Sequence, residues 1–307
     1  MKLLVIGGTG FVSGAVVQEA LARNAEVWIV TRGQRSIPAG VKALTVDRGD
    51  QVKFAQVIAD TGQTWDLVVD CIGFEPEDAE QDIQVFRERA KQLVFVSTDF
   101  VYDPAHRQFP QAEESEYFLN PNSGEGSLAY GGKKRACELA FINSDTGDMM
   151  WMIVRPCHIY GPGSKLGCLP LHGRDDNLIA KLQSGETLKL VGGGHFLQQP
   201  IFSQDLAQVI LNLYSNDQAN REIFLTAGPD ILESRQFYEI IADILGVPLK
   251  VEEVSVSQHL AKNPGQTPFM CHRIYSMSKL ASFGDLPPST SIEDGLRQHV
   301  QSLLANQ

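Results

Sequence analysis

The start of the chain constrains all that follows. An apolar run over residues 2–7 passes straight into Gly8-Thr9-Gly10-Phe11-Val12-Ser13-Gly14, and residues 15–22 then carry their apolar positions at helical spacing. This pattern is a strand, a glycine turn and a helix. Glu26-Val27-Trp28-Ile29-Val30 reads as a second strand, which makes the beginning a βαβ unit. Unpaired N–H groups at a helix N-terminus, together with its partial positive charge, favour a phosphate. Gly7 and Gly10 permit the tight turn and the close approach of a pyrophosphate, with Thr9 and Phe11 beside them. Ser13 stands where a dinucleotide fingerprint has its third glycine. Serine is small enough for close packing, and its hydroxyl is placed to reach a phosphate.

The chain has 307 residues, 43% of them apolar, enough for one large domain or two unequal ones. A net charge of -11 opposes RNA, DNA and anionic membranes, and the compact basic run is Lys133-Lys134-Arg135. Cys71, Cys137, Cys157, Cys168 and Cys271 show no close-spaced pair, which suits a reducing compartment. No stretch approaches the roughly 18 apolar residues of a membrane span, and the initial apolar run is too short for a signal-peptide core. The expectation is a soluble cytoplasmic protein that takes a small molecule and neither nucleic acid nor membrane. His158, His172 and His195 lack ligand spacing, so no metal is expected.

Strand-like runs alternate with helical ones up to about residue 163: Leu44-Thr45-Val46, Leu67-Val68-Val69-Asp70-Cys71, Leu93-Val94-Phe95-Val96-Ser97 and Met152-Ile153-Val154-Arg155. Continuous apolar strands separated by amphipathic helices predict an α/β fold, a doubly wound parallel (Rossmann) sheet covered on both faces. Residues 104–126 read as a long surface loop, with Glu113-Glu114-Ser115-Glu116 as a solvated face. The expected division is a dinucleotide-binding domain over 1–166, to which 196–229 return, and a smaller α/β substrate-binding subdomain from 167–195 and 230–307.

Past the strand ending at Ser97 come Thr98, Asp99 and Tyr102, and later Tyr130-Gly131-Gly132-Lys133-Lys134 opens a helix. Tyr130 and Lys134, four apart, share one helix face. A tyrosine titrates near pH 10, and bringing it to neutrality requires about 4 kcal/mol. One cation about 4 Å away supplies energy of that order at an effective dielectric near 20.

At this point the chain resembles the short-chain dehydrogenase/reductase superfamily, in its extended branch of NAD(P)-dependent sugar-nucleotide epimerases, dehydratases and reductases. The resemblance rests on Gly7-Gly8-Thr9-Gly10-Phe11, Ser97-Thr98-Asp99-Phe100-Val101-Tyr102, the Tyr130/Lys134 pair, Arg155-Pro156 with Ile159-Tyr160-Gly161-Pro162-Gly163, and Asp205-Leu206-Ala207. It implies that Tyr130 is the acid-base residue, that Lys134 lowers its pKa and binds the nicotinamide ribose, and that Thr98 bonds the reacting oxygen. It further implies that Asp47 and Arg48 border the adenine, that Cys71, Ile72 and Gly73 line the cofactor, and that Pro156 and His158 flank the nicotinamide. Phe74, Asp99 and Arg174 are the substrate candidates. Phe100 takes the place of the glutamate that sugar-nucleotide dehydratases have after Asp99, which disfavours dehydration.

After the second strand the chain offers Thr31-Arg32-Gly33 and Arg35 with no acid, and an arginine suits a 2'-phosphate. The residues therefore favour NADP, with NAD the alternative. Where many family members have an arginine for the substrate's diphosphate, this chain has Gln198, leaving Arg174 or Arg273 to compensate or a substrate without a diphosphate. The expected activity is epimerisation or keto-reduction by hydride transfer on a sugar nucleotide or similar polar substrate. The alternative is a nucleotide-sensing or RNA-binding member of the same fold. The resemblance also implies a homodimer, paired through the Tyr130/Lys134 helix and the helix around residues 78–89.

Overall fold

The computed structural model describes residues 1–122, 126–171, 174–284 and 287–305, without the side chain of Ser127. His172 and residues 123–125 of the long loop lie outside the described residues. In chain order the elements are β1 (Lys2–Ile6), α1 (Phe11–Ala22), β2 (Glu26–Thr31), β3 (Lys42–Thr45), α2 (Gln51–Asp60), β4 (Trp65–Asp70), α3 (Pro76–Phe86) and β5 (Ala90–Val96). The long helix α4 (Gly126–Asn143), β6 (Met150–Pro156) and β7 (Ile159–Tyr160) follow, then α5 (Leu178–Gln183), β8 (Leu188–Val191), β9 (Leu197–Gln198) and β10 (Ile201–Phe202). The remainder comprises α6 (Ser203–Asn212), β11 (Glu222–Thr226), β12 (Leu232–Glu233), α7 (Ser234–Leu245), β13 (Val251–Val254), α8 (Val256–Lys262), α9 (Ser278–Ser282) and α10 (Ile292–Leu304).

Seven strands form one sheet in the order β11-β6-β5-β4-β1-β2-β3, every pair parallel. The central strands lack alternation because both faces are covered. Leu3, Leu4, Val5 and Ile6 are all fully buried, Leu3 and Val5 in the cluster under α1 and α6, Leu4 and Ile6 in the cluster under α2, α3 and α4. Each such side chain contributes roughly 1.5–3 kcal/mol relative to exposure. A third cluster, around Leu178, Leu190, Phe237, Tyr238 and Leu296, holds a smaller unit in which β8 pairs with β13 and α7 packs on α10. No described helix is long and apolar enough to cross a membrane.

The acidic run on the loop departs from the expected solvated face at Glu113. Its carboxylate is buried and accepts from the N–H of Leu225, and its carbonyl accepts from Tyr102 and Arg155.

Candidate active site

Strand order reverses between β1 and β4, and a doubly wound sheet leaves a crevice at that point, beyond the carboxyl ends of its strands. Two adjoining cavities occupy it. One, of about 600 Å³, is bordered by Gly7, Thr9 and Gly10, by Arg32 and Arg35 after β2, and by Asp47 and Arg48 after β3. The other, of about 580 Å³, runs from Phe11 and Ser13 past Cys71, Thr98, Tyr130 and Lys134 to Pro156, His158 and Arg174. Gly10, Ile72 and Phe74 line both.

The turn packs closely against its neighbours because side chains are missing where they approach. Gly7 has φ +99°, and a Cβ there would lie 2.6 Å from Ile72 Cγ2; one on Gly8 would lie 2.6 Å from Ile29 Cβ. The first-turn N–H groups of α1 have no intrahelical partner. Ser13, however, does not offer its hydroxyl to a ligand: it accepts from Gly10 N–H at 2.9 Å and donates to the Gly7 carbonyl at 2.8 Å. This corrects the expectation of a phosphate contact, and the physical reason is that the hydroxyl closes the turn a glycine would leave open. Arg35 braces the same turn through the Thr9 carbonyl. Arg32 is exposed and has no ion-pair partner among the described residues.

Arg48 is a second correction. It borders the crevice, but its guanidinium turns inward and meets Asp70 at 2.7 Å and Asp78 and Asp82 at 3.0 Å each. Those carboxylates come from the end of β4 and from α3. Burying them without a cation would be costly, so the arginine is committed to them. Burial drives the Asp82 carboxyl well above its usual range despite that cation, whereas Arg48 keeps Asp70 below it against the same burial. Asp70 also accepts from Ile72 N–H, which fixes the loop carrying Ile72, Gly73 and Phe74. Asp47 stays exposed at the rim.

Helix α4 brings Tyr130 and Lys134 to the second cavity. A buried bidentate pair, Arg155 on β6 with Glu138 on α4, ties this helix to the sheet, and the Ser97 hydroxyl donates to the same carboxylate. Gly131 lets α4 approach the 3₁₀ turn Asp99–Val101, because a Cβ there would collide with the Phe100 carbonyl. Thr98, whose hydroxyl accepts from the Phe100 N–H at 3.3 Å, therefore lines the same cavity as Tyr130. The Lys134 ammonium, buried, donates to the carbonyls of Gly73 and Val96 at 2.7 Å each and lies over the rings of Phe74 and Phe95. Desolvation lowers its pKa.

Desolvation raises the Tyr130 phenol above its ordinary value; the groups that pull it down are Thr98, by hydrogen bonding, and Arg174, by its charge. Two of the three protons of Lys134 are already held by backbone carbonyls, which leaves one for a ligand.

Asp99 lines the cavity, and one oxygen of its buried carboxylate is held by Arg107 at 3.1 Å, Tyr275 at 2.5 Å and Arg273. All three contacts fall on Oδ2, which fixes the carboxylate in the wall, while Oδ1 has no hydrogen-bond partner among the described residues. Arg273 is buried, bound to Asp99 and to the Pro268 carbonyl. His158 donates from Nε2 to the Gly167 carbonyl, and burial lowers its pKa to about 4. Phe269 and Leu169 also line the cavity. Neither carries a local sequence signal, since both come from segments far along the chain.

The model of the NAD dependent epimerase/dehydratase family matches residues 3–225. Among solved structures, UDP-N-acetylglucosamine 4-epimerase from Methanobrevibacter ruminantium M1, in complex with UDP-N-acetylmuramic acid, superposes with a TM-score of 0.78 at 18% identity, covering 100% of this chain and 99% of that one. dTDP-glucose 4,6-dehydratase from Bacillus anthracis, in complex with NAD, gives 0.76 at 17% identity over 100% and 97%. These likenesses establish the fold. Among curated proteins, the chloroplast stem-loop binding protein of 41 kDa b from Arabidopsis thaliana is 24% identical over 240 residues. That match spans 74% of this chain and 58% of the relative, so the chain corresponds to little more than half of that protein.

Proposed function

Because the chain belongs to the NAD dependent epimerase/dehydratase family, we propose that it transfers hydride reversibly at a carbinol or ketone of a sugar nucleotide or a similarly polar substrate, as an epimerase or a keto-reductase. The observation that carries this reading is the convergence of Thr98, Tyr130 and Lys134 on one cavity adjoining the glycine turn. The residues suit a nicotinamide dinucleotide. The turn and the start of α1 would hold its pyrophosphate, Asp47 would border the adenine, and Ile72, Pro156 and His158 would line the nicotinamide end. When bound, that group supplies the hydride acceptor or donor. Tyr130 exchanges a proton with the substrate oxygen, Thr98 orients that oxygen, and the remaining Lys134 proton anchors a ribose hydroxyl. Arg32 and Arg35, with no acid at the end of β2, support NADP, although the dehydratase structure named above holds NAD. Residues 167–195 and 230–307 supply the substrate side of the cavity, through Leu169, Arg174 and Phe269. Two copies pair through α3 and α4, which an equilibrium sedimentation run checks.

The test is Tyr130→Phe. Turnover with keto-sugar substrates should fall about 10²- to 10⁴-fold while dinucleotide binding persists. Absence of affinity for any pyridine dinucleotide would sink the reading.

The stem-loop binding relative favours a second reading, RNA binding. Against it, the basic run is neutralised: Lys133 pairs with Glu75, Lys134 is buried and Arg135 pairs with Glu138. Salt-sensitive RNA binding that Tyr130→Phe leaves untouched would support this alternative.

A further inference from the structure

The substrate end of the cavity holds few usable charges. Among its described lining residues the one carboxylate is Asp99, held on Oδ2 by Arg107, Arg273 and Tyr275, so its charge is already balanced by two arginines. The cations are Lys134, committed to two carbonyls, and Arg174. Arg174 makes no hydrogen bond or ion pair to a described residue; its guanidinium carbon lies 5.6 Å from the centre of the Phe11 ring. It stands between the reaction cavity and an outer cleft bordered by Pro162, Gly163 and Lys165.

His158 adds a second, neutral contact. With its proton on Nε2 for the Gly167 carbonyl, Nδ1 is left as an acceptor. A pKa near 4 keeps the ring neutral in ordinary buffers, so it selects a hydroxyl donor and gives no help to an anion.

No further cation lines the cavity among the described residues. A nucleoside diphosphate would bring at least two negative charges to one free guanidinium. A carboxylate brings one, in the planar geometry that the guanidinium fork matches.

Resting on the hydride-transfer reading above, we propose that the substrate is a hydroxylated carboxylate of monosaccharide size, a sugar acid without a nucleotide, its carboxylate on Arg174 and a hydroxyl donating to Nδ1 of His158. The cavity has to house the nicotinamide riboside as well, which also favours a small substrate.

Calorimetric titration tests this on the full protein loaded with NADP or NAD, using D-glucuronate, D-galacturonate, D-gluconate, D-glucose and UDP-glucose as probes. At least one carboxylate should bind, with D-glucose at least tenfold weaker. Arg174→Gln should weaken that carboxylate at least tenfold, and Arg174→Lys should recover part of the loss. Three results overturn the proposal: UDP-glucose binding more tightly than every carboxylate, no carboxylate binding at all, or Arg174→Gln reducing dinucleotide affinity while sparing the carboxylate. The last would assign Arg174 to the cofactor's pyrophosphate. Failure of the hydride-transfer reading itself is distinguishable, because it appears in the loading step as no dinucleotide binding.

Discussion

Replacing Gly131 by alanine should destabilise the protein and slow it, although alanine is the better helix former. Within a helix the exchange by itself stabilises by about 0.5–1 kcal/mol. At position 131 the new Cβ would lie 2.7 Å from Leu119 Cδ1 and 3.0 Å from the carbonyl carbon of Phe100, and closer still to that carbonyl's oxygen. Carbon atoms in good contact are ~3.5–4.0 Å apart. The overlap is therefore about 0.5–1.3 Å, and the Phe100 carbonyl is backbone that cannot swing aside. Overpacking on this scale costs about 1–3 kcal/mol, so the net change after the helix gain should run from about zero to a loss of about 2.5 kcal/mol. Relief of the clash pushes the 3₁₀ turn Asp99–Val101 off α4, and with it Thr98 from Tyr130. A displacement near 1 Å at reacting groups lowers rates on the order of 10²-fold. Gly14→Ala is the internal control: Gly14 lies in α1 with nothing within 4 Å of an added Cβ, so the same exchange should stabilise by about 0.5–1 kcal/mol. Urea unfolding of both variants, with turnover measured alongside, decides the matter. If Gly131→Ala proves as stable as Gly14→Ala, the packing argument is wrong.

Three other outcomes are expected. Glu138→Gln leaves Arg155 charged and buried without its partner, and urea unfolding should show a loss of about 3–5 kcal/mol; a loss under about 1 kcal/mol would contradict the role given to that pair. Burial alone would raise the carboxyls of Asp99 and Glu138, but Arg273 and Arg107 in one case and Arg155 in the other outweigh it and hold both below their usual range. Folded values below unfolded ones mean that this stabilisation is complete above about pH 4 to 5 and is lost as pH falls through the folded values, so urea midpoints should drop steeply below about pH 4 and a flat profile would refute it. Arg32→Ala should raise KM for NADPH by about tenfold or more and leave that for NADH unchanged, since a charge-assisted contact contributes about 1.5–3 kcal/mol; equal effects on both would remove the basis for preferring NADP.

The sheet was legible because its strands are buried on both faces and so lose alternation, while the intervening helices keep theirs. The glycine turn was legible for a local reason as well, since Gly7 and Gly8 stand where Ile72 and Ile29 leave no space. Tyr130, Thr98 and Lys134 could be picked out because their spacing marks a helix face and a strand end. What a sequence cannot display is how charges pair across it. Arg48 sits in a stretch that reads as a surface turn, yet Asp70, Asp78 and Asp82 draw it inward from up to 34 positions away. Asp99 reads as unpaired, yet Arg273 and Tyr275, more than 170 positions on, hold its Oδ2. Ser13 misled for a different reason: a hydroxyl beside a phosphate turn can serve the ligand or the turn, and only the geometry distinguishes them.

The protonation of Tyr130 gives the candidate site a direction. Although the Tyr130 side chain is partly exposed, desolvation at the cavity wall holds the phenol above its ordinary pKa, so throughout the neutral range it carries its proton and is prepared to act as an acid. Reduction of a ketone should then be nearly independent of pH around neutrality and fall only on the alkaline side. Oxidation of the alcohol needs the phenolate, so its rate should climb with pH over the same range in which reduction begins to fail. The positive charge of Arg174 favours the phenolate, so Arg174→Gln should move both limbs to higher pH, a shift that simple loss of substrate affinity would not produce. Lys134→Met removes a buried cation held by two carbonyls and should alter dinucleotide binding together with the limbs. If oxidation is flat from pH 7 to 10 in the native protein, Tyr130 is not the group that accepts the proton, however well it is placed.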